Sequence, residues 1–192
     1  PWGDRLFVEA AGVGLFARAL ALLDHHDAEA VSQLAKEEPT FESVVRLLRQ
    51  LVTEYSPREW NATLDGRNLA GRYLMLEAMN IRLIGPHLHL APDADPGDGL
   101  FDVVLVSDSQ CQELLNYFGH RLEKETSVPE LTVHRGRRLE FSWADPEIHF
   151  DDGVWQRARR DPAGGRPSGL TEPLPVVLEI GGQSVDVLVP GP

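Results

Sequence analysis

The sequence predicts a mainly β (α+β) fold: an antiparallel two-sheet β-sandwich with a helical insert near the N-terminus and one later helix. Three observations predict it. Turn pairs at Asp65-Gly66, Asp98-Gly99 and Gly181-Gly182 stand between apolar runs, as hairpin reversals do. Those runs are rich in β-branched and large apolar residues. The strands also outnumber what one small sheet can bury, so two packed sheets are expected. With 192 residues, the chain is long enough for a single domain over 1–192 with a real core.

Composition excludes several classes. Hydrophobic residues make up 42%, too many for a disordered chain. No apolar run approaches the roughly 18–20 residues of a membrane span, and no signal peptide is visible. A net charge of −12 argues against nucleic acid as a partner and against a broad electrostatic grip on anionic lipid. The single cysteine, Cys111, excludes an internal disulfide and fits a reducing, cytoplasmic compartment. The chain begins Pro1-Trp2-Gly3 without an initiator Met, so a piece of a longer polypeptide is expected.

Taken in order, Arg5–Ala10 reads as a short strand, with Leu6 and Val8 on one face and Phe7 and Glu9 on the other. Gly12 and Gly14 follow. Without a third Gly or a G-K-[ST], they read as a close strand-to-helix turn before a phosphate loop. Leu15–Leu23 is helical and apolar. Asp24-His25-His26-Asp27 interrupts it, as a metal-binding cluster or, better, a polar link with Asp27 capping a second helix to Glu37. Thr40 then caps an amphipathic helix whose stripe is Val44, Val45, Leu47, Leu48, Leu51 and Val52. Ser56-Pro57 ends it. Trp60–Leu64 and Leu69–Met79 are strands joined at Asp65-Gly66.

The stretch from Leu76 to Val106 is the centre of the chain. Two strand-like runs, Leu83–Leu90 and Phe101–Val106, are joined by an acidic turn rich in Pro and Gly. Asp98-Gly99 makes the reversal, since Gly tolerates positive φ and Asp bonds the following backbone. Asp93, Asp95 and Asp98 suit a hard cation such as Mg²⁺ or Ca²⁺, or form a solvated acidic turn. Ser107 or Asp108 caps a helix to about Leu122. Leu131–Val133 and Leu139–Phe141 flank a small basic hairpin, His134–Arg138, which is a solvated turn or a contact for phosphates and lipid headgroups. Ile148–Trp155 contains an acidic turn at Asp151-Asp152. Gln156–Gly169 reads as a mobile polar loop, and Val176–Ile180 with Val185–Val189 as a closing hairpin.

One ordered string in the centre is specific: Asn80, Gly85-Pro86, Leu90-Ala91-Pro92, Ala94, Pro96, Asp98-Gly99-Leu100 and Asp102-Val103-Val104. It resembles the C-terminal domain of the bacterial diacylglycerol kinase-like lipid kinases, a domain shared with sphingosine and ceramide kinases. Phe7–Ala17 resembles the segment by which the chain enters that domain. The resemblance implies a β-sandwich that takes part in ATP-dependent phosphorylation of a lipid hydroxyl, diacylglycerol type, in phospholipid biosynthesis. It implies a structural Mg²⁺ held by the Asp98 side chain, with Asp95 and Leu100 giving backbone oxygens. Asn80 would lie near the substrate, or it is a turn-forming Asn that bonds local backbone. ATP would be bound mainly by an N-terminal domain of the same polypeptide carrying a G-G-D-G-T-type motif. That motif is absent here, so this chain alone should be inactive.

The chain departs from the family at its general base. A D-G-E-like motif is expected where Asp151-Asp152-Gly153-Val154 stands. Either Asp151 or Asp152 accepts the hydroxyl proton, or the base has been lost. Expected partners are the lipid, the nucleotide-binding domain, peripheral contact with the inner membrane, and a second copy paired through a sheet edge. A helical insert ahead of the main sheet is placed to shape an entrance for a lipid chain. Two rivals stand beside this reading: a catalytically impaired lipid-binding module of the same fold, and an unrelated β-sandwich binding domain.

Overall fold

The computed structural model describes residues 5–24, 40–144, 147–156 and 173–181. The helix expected over 27–37, His25-His26, most of the 156–169 loop and the strand 185–189 lie outside the described residues. Among the described residues, three layers are stacked: helices, a large antiparallel sheet and a smaller antiparallel sheet.

The large sheet contains β1 (Ala10–Gly14), β2 (Arg58–Trp60), β5 (Gly71–Met79), β8 (Phe101–Ser107), β9 (Thr132–Gly136), β11 (Glu147–Phe150) and β12 (Gly153–Gln156). Its order is β12-β11-β1-β5-β8-β9, with β2 also on β5. The small sheet runs β13-β10-β3-β4, from β3 (Ala62–Leu64), β4 (Arg67–Asn68), β10 (Arg138–Trp143) and β13 (Leu174–Glu179). Helices α1 (Leu15–Asp24), α2 (Phe41–Glu54) and α3 (Cys111–Leu122) cover the outer face of the large sheet.

Strand alternation builds both cores at once. Along β5, Met75 and Met79 face the helices, while Leu76 and Ala78 face the small sheet. Along β8, Val104 and Val106 join the helical core, and Phe101, Val103 and Leu105 join the sandwich core. Strands covered on both faces read as continuous apolar runs, which is why this region is so hydrophobic. The α2 stripe is as expected: Val45, Leu48, Leu51 and Val52 are buried. Its Thr40 side chain accepts from the Ser43 N–H at 3.2 Å, a helix cap.

Several expectations are corrected. The run Arg5–Ala10 is not a paired strand; pairing starts at Ala10, and Gly12 and Gly14 lie inside β1. The expected two-faced alternation is not seen there either, since Leu6, Val8 and Glu9 are all exposed and only Phe7 is half-buried. Trp60–Leu64 is two strands, because the chain passes from the large sheet to the small one at Asn61. The strand after Asp65-Gly66 is the short β4. The longer β5 pairs with β1, β2 and β8 instead of β3.

Two further pairings differ. Leu83–Leu90 and Phe101–Val106 do not pair. β6 (Leu83–Ile84) and β7 (Leu88–His89) pair only with each other, and β8 pairs with β5 and β9. The whole of 80–100 is thus a long connection between the two central strands. The strands around His134–Arg138 do not form a hairpin either, since β9 lies in the large sheet and β10 in the small one. Local turn chemistry shows that the chain reverses, and only packing of both faces decides the partner.

Candidate functional site

The Asp151-Asp152 turn is a two-residue hairpin loop between β11 and β12. Asp151 takes φ 53°, a left-handed conformation that short polar residues tolerate better than most. Its carboxylate is fully engaged. Oδ1 accepts from the N–H groups of Glu9 at 2.7 Å and Ala10 at 3.1 Å, and Oδ2 from Val8 at 3.0 Å. The Asp151 N–H donates in turn to the Ala10 carbonyl at 2.7 Å. Asp152 is exposed. The two candidate bases therefore have different roles open to them: Asp151 holds backbone, and Asp152 presents a carboxylate to solvent.

Asn80 reaches the same place. It sits just past β5, and its side-chain Nδ2 donates to the Val8 carbonyl at 3.2 Å. Its backbone N–H donates to Glu9 at 2.8 Å. Asn80 and the Asp151 turn thus converge on Val8–Ala10, the lead-in to β1. Behind the turn lie two residues that sequence reasoning missed. His149 and Glu77 are both fully buried, with Nε2 and Oε2 2.6 Å apart. A Glu inside the apolar run Leu74–Met79 was the signal available, because an unpaired charge does not belong there.

The acidic turn forms a second cluster. Asp95 Oδ1 accepts from Gly97 N–H at 2.9 Å and Asp98 Oδ1 from Leu100 N–H at 2.8 Å. These are the local bonds that favour Asp in turns, and Gly99 supplies the positive φ of 72°. Arg82 ties the loop to its start, donating from Nε to the Ala94 carbonyl at 3.2 Å. A depression of about 360 Å³ lies against Arg82, Ala94 and Asp95. Arg135 of β9 donates to Asp98 Oδ2 and lies 3.8 Å from Asp102 Oδ1. Asp102 is buried, and burial together with the charge of Asp93 raises its carboxyl above the ordinary range.

The turn offers the oxygen donor types that Mg²⁺ takes, though both Asp98 oxygens and the Asp95 carbonyl are already engaged within the protein. One carboxylate and the carbonyls of Asp95 and Leu100 belong to a single loop, all hard oxygens. Among the described residues, no three His, Cys, Asp or Glu side chains converge as a metal cluster, but the expected set needs only one side chain. The competing feature is Arg135, whose guanidinium occupies Asp98 Oδ2. Any divalent ion at that oxygen must share or displace it. Of the basic stretch His134–Arg138, two arginines are engaged: Arg135 as described, and Arg138 with Glu140 at 2.9 Å and Glu179 at 2.5 Å.

A second depression, of about 380 Å³, lies between α2 and α3, lined by Arg49, Thr53, Gln112, Leu115, Asn116 and His120 among others. No described helix is long and apolar enough to cross a membrane.

An antiparallel β-sandwich with helices on one outer face defines the class. Residues 22–160 match the family described as the YegS C-terminal NAD kinase beta sandwich-like domain, and the chain belongs to that family. Among solved structures it is similar to three from Bacillus anthracis str. Sterne named as diacylglycerol kinases, two of them provisionally. These are 16%, 17% and 15% identical, with TM-scores of 0.52, 0.51 and 0.50. Each alignment covers 90% of this chain and 50%, 50% and 48% of the other, so the chain spans about half the length of these structures. A comparison with curated proteins finds no match. The resemblance read from residues 80–106 therefore holds at the level of fold and family, and an unrelated β-sandwich is set aside.

Proposed function

We propose that this chain is the C-terminal, lipid-substrate domain of an ATP-dependent lipid kinase of diacylglycerol type, and that it is inactive without a nucleotide-binding domain on the same polypeptide. The observation that carries the reading is the Asp151-Asp152 turn, held against the Val8–Ala10 lead-in with one exposed carboxylate left over. In this reading Asp152 is the base and Asp151 the residue that fixes its position. The lipid hydroxyl oxygen attacks the γ-phosphorus of ATP, a new P–O bond forms, the bond to ADP breaks, and Asp152 takes the hydroxyl proton. Asn80 supports the arrangement from the end of β5 by holding the Val8 and Glu9 carbonyls of the lead-in.

Mg²⁺ would be held by the Asp98 carboxylate and the backbone oxygens of Asp95 and Leu100. Held by those oxygens, the ion would tie the 93–100 turn together and supply positive charge there. The lipid, the nucleotide-binding domain, peripheral contact with the cytoplasmic face of the inner membrane and a second copy are the partners this reading calls for.

A second reading has its own observation. Gly153 and Val154 stand where the motif's Glu is expected, and Asp151 spends its oxygens on backbone. A lipid-binding module with little or no turnover matches that loss. An assay of ATP-dependent lipid phosphorylation on the full-length protein separates the two. Activity that survives in Asp151→Asn but drops on the order of 10²-fold or more in Asp152→Asn supports the kinase with Asp152 as base. Full-length protein that binds lipid but transfers no phosphate supports the module.

A further inference from the structure

The face of the large sheet beneath α1 is mostly apolar, yet Glu77 and His149 sit on it, each 0% exposed. Nε2 of His149 is 2.6 Å from Oε2 of Glu77, and Nδ1 is 3.1 Å from the carbonyl oxygen of Asp151. A carbonyl only accepts, so Nδ1 carries a hydrogen. An ionised carboxylate also only accepts. The 2.6 Å contact therefore needs a second proton, on Nε2 or on the Glu77 carboxyl. Both placements leave the pair without net charge. Loss of that proton would set two acceptors face to face and leave an uncompensated charge in a dry site.

The surroundings offer no replacement. Oε1 of Glu77 has no hydrogen-bond partner. The Phe16 ring of α1 meets His149 edge-on, with centroids 5.2 Å apart. Gly12 of β1 leaves the space for the carboxylate, since a Cβ there would lie 2.0 Å from Oε2. Strands β8 and β12 place Val104 opposite Glu77 and Val154 opposite His149. The charged groups nearby are already matched. Arg18 of α1 pairs with Glu147 of β11 at 2.8 Å, and the Asp151 carboxylate accepts three backbone N–H groups.

We propose that Glu77 and His149 are positioning residues: a buried pair that retains one shared proton and, through Nδ1–H to the Asp151 carbonyl, sets the Asp151-Asp152 turn and the Val8–Ala10 backbone it holds. The shift directions agree. Burial raises Glu77. Burial pulls His149 down, but the charge and hydrogen bond of Glu77, helped by Asp151, outweigh it and leave His149 raised. The consequence for phosphoryl transfer rests on the reading of Asp152 as base; the proton and the turn do not.

The test is amide hydrogen exchange by NMR on this chain, from mildly acidic to alkaline pH. In wild type, the Ala10 and Asp151 amides should be protected, with protection falling roughly tenfold beyond the intrinsic pH dependence once the pair deprotonates. Glu77→Gln donates an amide N–H to Nε2, so it should keep the protection and lose that step. The double variant Glu77→Leu/His149→Phe, apolar throughout, should expose the same two amides roughly tenfold while distant core amides stay protected.

Unchanged exchange in the double variant, or the same pH step in Glu77→Gln, overturns the proposal. If the double variant does not fold, Glu77→Gln and the ¹⁵N shift of His149 Nδ1 decide, because a bare Nδ1 in wild type also overturns it. Exchange that behaves as expected in a full-length protein whose phosphorylation is untouched by Asp152→Asn would sink the base assignment and leave the pair standing.

Discussion

Asn80 and Asp151 hold the same length of backbone. Asn80 Nδ2 donates to the Val8 carbonyl, and the Asp151 carboxylate accepts the Val8, Glu9 and Ala10 N–H groups. One lies at the end of β5 and the other in the β11–β12 turn, so the two strands flanking β1 are both tied to its lead-in. Replacing Asp151 should loosen that junction. Asp151→Ala removes the acceptors and places a residue less tolerant of φ 53° in the turn, with an expected loss of about 1–3 kcal/mol. Asp151→Asn keeps one acceptor oxygen and the tolerance, and should lose less. Urea denaturation midpoints at constant slope check the order.

Gly12 should tolerate no side chain. A Cβ there would meet Glu77 Oε2 at 2.0 Å and the Leu76 carbonyl at 2.5 Å, and the latter is backbone that cannot swing aside. Gly12→Ala should cost on the order of 1–3 kcal/mol, read as a lowered melting temperature. Gly66→Ala is the contrast. Nothing lies within 4 Å of a Cβ there, and the strain of φ +78° is its whole penalty.

Stability should fall as pH rises past the ordinary histidine value of 6.5. His149 is raised in the folded chain, so its contribution is fully present below 6.5 and is lost as pH climbs through the raised value. The folded state binds more protons there than the unfolded one, which makes the slope negative. Denaturation midpoints across the neutral-to-alkaline range should show the decline in wild type and a flatter profile in Glu77→Gln.

The acidic turn should respond to Mg²⁺ through Arg135. Asp98→Ala should weaken Mg²⁺ binding by this chain and lower activity of the full-length protein. Arg135→Gln frees Asp98 Oδ2 and should tighten Mg²⁺ binding by roughly tenfold. Titration calorimetry reads both. Binding indifferent to either substitution would place the ion elsewhere.

The sequence by itself determined the fold class, the α2 stripe and its Thr40 cap, the Asp65-Gly66 turn, and the string from Asn80 to Val104 that marks the family. Each is a local signal: spacing, a capping residue, or a glycine where φ is positive. Only the tertiary structure decided which strands pair. β5 and β8 carry apolar residues on both faces, so the sequence held no alternation to distinguish their partners. The roles within the site were equally non-local. Asp151 and Asp152 are indistinguishable in a string. Their difference arises because Val8–Ala10, far away in the chain, brings three N–H groups to one carboxylate and none to the other. Glu77 and His149 meet for the same reason: β1, with glycine at position 12, lies between their strands and leaves room for the contact across it.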